Sequence, residues 1–226
     1  MLLELAPYKM WHDRQYGVKA LAAKGLGEEA IRYAEEGRGR NDSEVATART
    51  CEEILLALGK VEESYRRYGL VANRAGTYLA TFKAVRKKYS HKGAGEILAD
   101  LVRTTPGDEG KWFAAAKDAG LFDEALALAG RTPCDPKTLT RAARDFIDEQ
   151  PAFAVGAGLL ALRWLVAGYG YDITGADVWA AYDATMKAGE RQGDTASIKG
   201  RIREIVAAEA PGSGFVTKVL GRELGL

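Results

Sequence analysis

Apolar residues recur at three- and four-residue steps along nearly the whole chain, and short Gly, Pro or Asn/Asp breaks separate the runs. Tyr78, Phe82, Val85 and Tyr89 show the pattern: they step by four, three and four, and so form one inward-facing stripe of a helix. Read this way, the chain predicts helices over about 8–24, 27–37, 44–58, 60–73, 75–90, 94–104, 109–119, 122–130, 136–149, 151–168, 174–190, 195–209 and 215–223. The charged run Gly37-Arg-Gly-Arg-Asn-Asp42 is a loop, and Ser43 after it is placed to cap the next helix. Thr105-Pro106-Gly107-Asp108, Thr132-Pro133-Cys134-Asp135-Pro136 and Pro211-Gly212-Ser213-Gly214 are further breaks. No alternating run is long enough for a strand, so the expected class is all-α.

A second rhythm lies over the first. Gly25, Gly59 and Gly93 are 34 residues apart, and each precedes acid that opens an apolar run. The runs are Gly25-Leu-Gly-Glu28-Glu29-Ala30-Ile31, Gly59-Lys-Val-Glu62-Glu63-Ser64-Tyr65 and Gly93-Ala-Gly-Glu96-Ile97-Leu98. Gly120-Leu-Phe-Asp123-Glu124-Ala125-Leu126 follows at a shorter interval. A period of this length is a signature of stacked helix–turn–helix units. Over about 8–130 the rhythm resembles the tetratricopeptide repeat, with Gly59, Glu62, Glu63, Ser64 and Tyr68 in the family's positions. Cys51 and Glu52 stand where that family keeps Leu-Gly, so the likeness is to the architecture. It implies an αα-hairpin array forming a right-handed solenoid. The expectation is a single helical-repeat domain over 1–226, continued by longer helices over about 131–209 and capped by 215–226.

A weaker resemblance rests on Asn73-Arg74-Ala-Gly-Thr-Tyr78-Leu79-Ala-Thr-Phe82, Glu109-Gly-Lys-Trp112-Phe113-Ala-Ala-Ala-Lys117-Asp118-Ala119-Gly120 and Thr174-Gly-Ala-Asp177-Val178. These look like the helical C-terminal region of uncharacterised bacterial proteins, some of which carry a SWIM zinc finger. Two cysteines and two histidines are too few for such a finger here. The resemblance implies no activity.

Composition narrows the picture. Cys51 and Cys134 belong to no motif, which reads as a reducing cytoplasm rather than a disulfide framework. The first residues, Met1 to Pro7, lack the basic start of a secretory leader. From Pro151 to Tyr171 the only charge is Arg163, a length that could cross a bilayer. A charge near its middle favours a buried central helix, with Gly156, Gly158 and Ala161 admitting close neighbours and Arg163 reaching a carboxylate or the surface.

Chemical motifs are scarce. His12 and His91 are isolated, so neither metal nor cofactor is expected. No nucleophile elbow or phosphate-binding loop occurs, and Gly168-Tyr-Gly-Tyr-Asp172 reads as a helix stop. The acidic pairs open helices, where they complement the dipole. Trp112-Phe113 and Trp179 with Tyr182 read as core.

The outstanding charge feature lies between Ser64 and Gly95, which contain no Asp or Glu between them. Arg66, Arg67, Arg74, Lys83, Arg86, Lys87, Lys88 and Lys92 fall there, in a chain of net charge +1. Glu62–Arg66 and Glu63–Arg67 have the spacing of helical ion pairs. In the repeat register, Gln15, Lys19, Arg49, Glu53, Lys83 and Lys87 face the concave side. The expected function is a non-enzymatic module that binds an acidic peptide or protein through Lys19, Arg49, Lys83, Arg86 and Lys87. Nucleic-acid binding through Arg74, Lys88 and Lys92 is the alternative. An enzyme on the helical scaffold, of DNA-glycosylase type, is a further one by fold analogy.

Overall fold

The computed structural model describes residues 10–36, 42–209 and 214–226, and every regular element among them is helical. The loop at 37–41, the start of the first helix before residue 10 and the break at 211–213 lie outside the described residues. The chain divides into two compact units, 1–101 and 102–226.

In the first unit, helices Trp11–Ala23, Gly27–Glu36 and Glu44–Ala57 pack in succession. Ser43 caps the third, its Oγ accepting from the Ala46 amide at 3.2 Å. The next helix has three parts, Val61–Ser64, a π turn Tyr65–Gly69 and Leu70–Ala72. Helices Tyr78–Lys88 and Ala94–Arg103 follow. Val18, Leu21, Ile31, Ile54 and Leu55 lie in the core with Cys51 and Tyr68. The expected stripe is inward: Phe82, Val85 and Tyr89 are fully buried.

The turns explain the glycine spacing. Gly25 and Gly59 take left-handed dihedrals, φ 79° and 73°. In each, the next amide bonds back to a carbonyl five residues earlier: Leu26 to Leu21 at 3.1 Å and Lys60 to Leu55 at 2.9 Å. These bonds close a Schellman motif, which glycine permits without a Cβ clash. Gly120 repeats it with Leu121 to Ala116 at 3.0 Å, and Gly168 with Tyr169 to Trp164 at 2.9 Å. Gly168 is thus a helix stop. Gly93 departs from the expectation. Its helix ends earlier, at Lys88, and the Gly93 carbonyl instead begins the next helix by accepting from the Ile97 amide at 3.1 Å.

In the second unit, Glu109–Trp112 is a 3₁₀ turn leading into Phe113–Asp118. Phe122–Arg131, Pro136–Asp145, Pro151–Val166, Gly175–Gln192, Thr195–Ala207 and Phe215–Leu224 follow. Pro151–Val166 is central and packs on several of the others. A Cβ on Gly158 would collide with Thr185, and one on Gly156 would lie 2.6 Å from Leu126 Cδ1, so both glycines set how closely the neighbouring helices approach. At 16 residues the helix is about 24 Å long, short of the ~30 Å hydrocarbon layer. Among the described residues no helix is long and apolar enough to cross a membrane. Arg163 lies over the Trp164 ring at 4.9 Å, with its guanidinium exposed near the Gly130 carbonyl at 3.3 Å. Trp112 and Phe113 are buried as expected, but Trp179 is 44% exposed, standing edge-on to the buried Tyr182. Aromatic spacing alone did not distinguish the two.

Candidate functional site

The Tyr78–Lys88 helix begins at Thr77, whose hydroxyl accepts from the Ala80 amide at 3.1 Å. Thr81 is buried and accepts from the Ala75 amide at 2.9 Å, fixing the preceding turn. With Phe82 and Val85 in the core, Lys83, Arg86 and Lys87 are exposed along one flank of the helix.

The far end of this helix is held by a side chain that periodicity did not single out. Glu52 is fully buried in the Glu44–Ala57 helix. Its Oε1 accepts from Asn73 Nδ2 at 2.5 Å and from the Tyr89 hydroxyl at 2.7 Å, and its Oε2 from Lys88 Nζ at 2.7 Å. Ser64 Oγ lies 2.9 Å from the Tyr89 hydroxyl and 3.3 Å from the Glu52 carbonyl oxygen. A buried carboxylate needs such compensation, since stripping water from a charge costs several kcal/mol. Burial and the neighbouring Glu52 push the Tyr89 hydroxyl above the ordinary phenol range, while the Ser64 hydrogen bond acts the other way. Tyr89 leaves helical dihedrals as its ring turns inward, φ −111° and ψ 54°, which is where the helix stops short of Gly93.

The π turn shapes the receiving surface. Gly69 ends it, and a Cβ there would stand 2.9 Å from the Tyr89 ring. Tyr65 packs edge-on against Tyr89 and donates to Asp100 at 2.6 Å. A second polar group lies alongside. The Tyr68 hydroxyl donates to Glu35 at 2.6 Å, and Arg67 bridges Glu35 at 3.1 Å and Glu63 at 2.8 Å. Thus Cys51 and Glu52, adjacent in the chain, are each buried beside a tyrosine hydroxyl.

The basic segment is divided by these partners. Glu63–Arg67 forms as its spacing predicts. Glu62–Arg66 does not: Glu62 turns to His91 at 2.7 Å and Lys92 at 3.2 Å, and those two partners hold its carboxyl below the usual carboxylate range. Lys92 also meets Glu96 at 2.7 Å and covers the Tyr65 ring at 4.6 Å. Arg74 pairs with Glu44 at 3.0 Å. All three residues expected to contact nucleic acid, Arg74, Lys88 and Lys92, therefore face carboxylates of the chain itself. Arg66, Lys83, Arg86 and Lys87 are exposed, and so are Arg74 and Lys88 despite their carboxylate partners.

The remaining groove candidates lie apart in their contacts. Lys19 and Glu53 line one cavity of about 210 Å³ with Thr50, Ile54 and Leu58. Arg49 extends toward the Ala72 carbonyl at 3.5 Å. Among the described residues no group of three or more His, Cys, Asp or Glu side chains is placed to hold a metal ion. Comparison with protein-family models, with curated proteins and with solved structures finds no match to the chain.

Proposed function

We propose that the chain is a non-enzymatic interaction module, tetratricopeptide-like in its helix pairs, that binds an acidic peptide or protein partner. The observation that carries the reading is the Tyr78–Lys88 helix. Its end is anchored through Lys88 and Tyr89 on buried Glu52, while Lys83, Arg86 and Lys87 stay exposed. A rigidly held row of cations loses less entropy on meeting carboxylates than a mobile one. The 34-residue spacing of the Gly25 and Gly59 turns supports placing Lys19, Arg49, Lys83 and Lys87 on equivalent first helices of the repeats. The two free cysteines, both buried, fit work in a reducing cytoplasm.

Two other readings gain less support. Nucleic-acid binding would use cations that carboxylates already hold. Catalysis by Glu52 would need access to an oxygen whose positions are taken by Asn73, Tyr89 and Lys88.

The test is fluorescence anisotropy with a glutamate-rich peptide. Wild type is expected to bind saturably, and K83E/K87E at least tenfold more weakly with its melting temperature unchanged. Equal affinity in both proteins would refute the reading.

A further inference from the structure

The second unit carries a separate concentration of positive charge. Lys137, Thr140, Arg141 and Arg144 lie on the Pro136–Asp145 helix and line one cavity of about 260 Å³, with Leu165 and Asp177 opposite. Their spacing of three, four and seven residues puts them on one helix face. Asp135 caps that helix, its Oδ2 accepting from the Thr138 amide at 2.9 Å, and Pro136 starts it, so the face is held from its first turn.

The cations are unequally occupied. Lys137 donates to the Asp172 carbonyl at 3.0 Å and lies 3.7 Å from Asp177 Oδ1. Asp177 is itself committed to Thr174, accepting from that residue's amide and hydroxyl at 2.8 Å each. Arg144 pairs with its own neighbour Asp145 at 2.8 Å. Arg141 is exposed and has no hydrogen-bond or ion-pair partner among the described residues. Of the three cations lining the cavity, Lys137 and Arg144 thus face Asp177 and Asp145, and Arg141 is left over.

We propose that this cavity binds a phosphate dianion, either inorganic phosphate or a small phosphomonoester. The guanidinium fork of Arg141 matches the oxygens of such a group bidentately, with Arg144 and the Thr140 hydroxyl as flanking donors. A phosphate offers oxygens to the Arg141 fork, the Thr140 hydroxyl and Arg144 at once, where a carboxylate has only two. The volume is below the ~300–1,000 Å³ of pockets for drug-sized ligands, so the occupant is small.

Calorimetric titration of the 226-residue chain tests this, with inorganic phosphate in one arm and glycerol 3-phosphate in the other. Chloride keeps the ionic strength constant. Saturable 1:1 binding is expected, weakened at least tenfold in R141Q/R144Q and unchanged in K24Q, with the helical circular dichroism of all three proteins alike. Tighter binding of the ester would identify a phosphomonoester as the occupant, and tighter inorganic phosphate the free ion. Absence of saturation at 20 mM of either, or equal affinity in wild type and R141Q/R144Q, would overturn the proposal.

Discussion

Glu52 shows how one side chain can organise a surface it never reaches. With both oxygens occupied, its removal takes a carboxylate partner from Asn73, Tyr89 and Lys88 together, leaving Asn73 the Gly69 carbonyl and Tyr89 the Ser64 hydroxyl. Breaking a buried charge pair costs about 3–5 kcal/mol. The Lys88 side chain is 34% exposed and can recover water, so Glu52→Ala is expected to cost about 3 kcal/mol. Tyr89→Phe should cost about 1–3 kcal/mol, the penalty for leaving a buried polar partner unmatched. Chemical denaturation measures both, and a loss within 0.5 kcal/mol for Glu52→Ala would contradict the anchoring role. Glu52 was not legible in the sequence, because its partners lie 21 to 37 residues away and an acid within a helix otherwise reads as solvated. The cysteines add a pH dependence. Burial pushes the Cys51 thiol up to about 11, against an ordinary value of 9.0, and Cys134 up to about 12. Above pH 9 the unfolded chain loses these protons while the folded one keeps them, so unfolding releases protons and stability must fall as pH rises. The denaturation midpoint is expected to be flat with respect to these groups below pH 9 and to decline from there through pH 11. A midpoint rising over that window would reverse the sign.

Among the helices, regular punctuation made the sequence readable. Ser43, the Pro136 start and the glycine stops act within a few residues, and periodicity sees that range. Two features escaped it. The π turn at Tyr65–Gly69 meets the Tyr89 ring at Gly69, and the helix stops at Lys88 where Tyr89 turns inward. Both lie at contacts between helices distant in sequence. The glycines separate the two kinds of control. Gly59 has a positive φ, so Gly59→Val should cost about 1 kcal/mol or more, lowering the melting temperature by about 2–4 °C or more in a chain of this size. Gly93 has no such backbone and nothing within 4 Å of a built Cβ, so Gly93→Ala should leave the melting temperature within about 2 °C. Equal losses in the two variants would show that the shared 34-residue spacing reflects one turn geometry after all. Gly69→Ala, which crowds the Tyr89 ring, is expected to cost about 1–3 kcal/mol by overpacking.

For the protein as an assembly of charges, the count of basic residues was legible and their disposition was not. Eight cations lie between Ser64 and Gly95, yet Arg67, Arg74, Lys88 and Lys92 are matched by acids from elsewhere in the first unit. What the apolar stripe did foretell is the exposure of Lys83 and Lys87, since Phe82 and Val85 between them must face the core. The second concentration, at Lys137, Arg141 and Arg144, is a built-in comparison, because an acidic ligand drawn by charge alone would have no reason to prefer the first. The direct measurement is backbone amide NMR of the isotopically labelled chain during titration with a glutamate-rich peptide at constant ionic strength. Saturating shift changes are expected over residues 78–89, lost in K83E/K87E. Shift changes centred on residues 136–145, or the same changes over 78–89 in K83E/K87E, would contradict binding at Lys83 and Lys87.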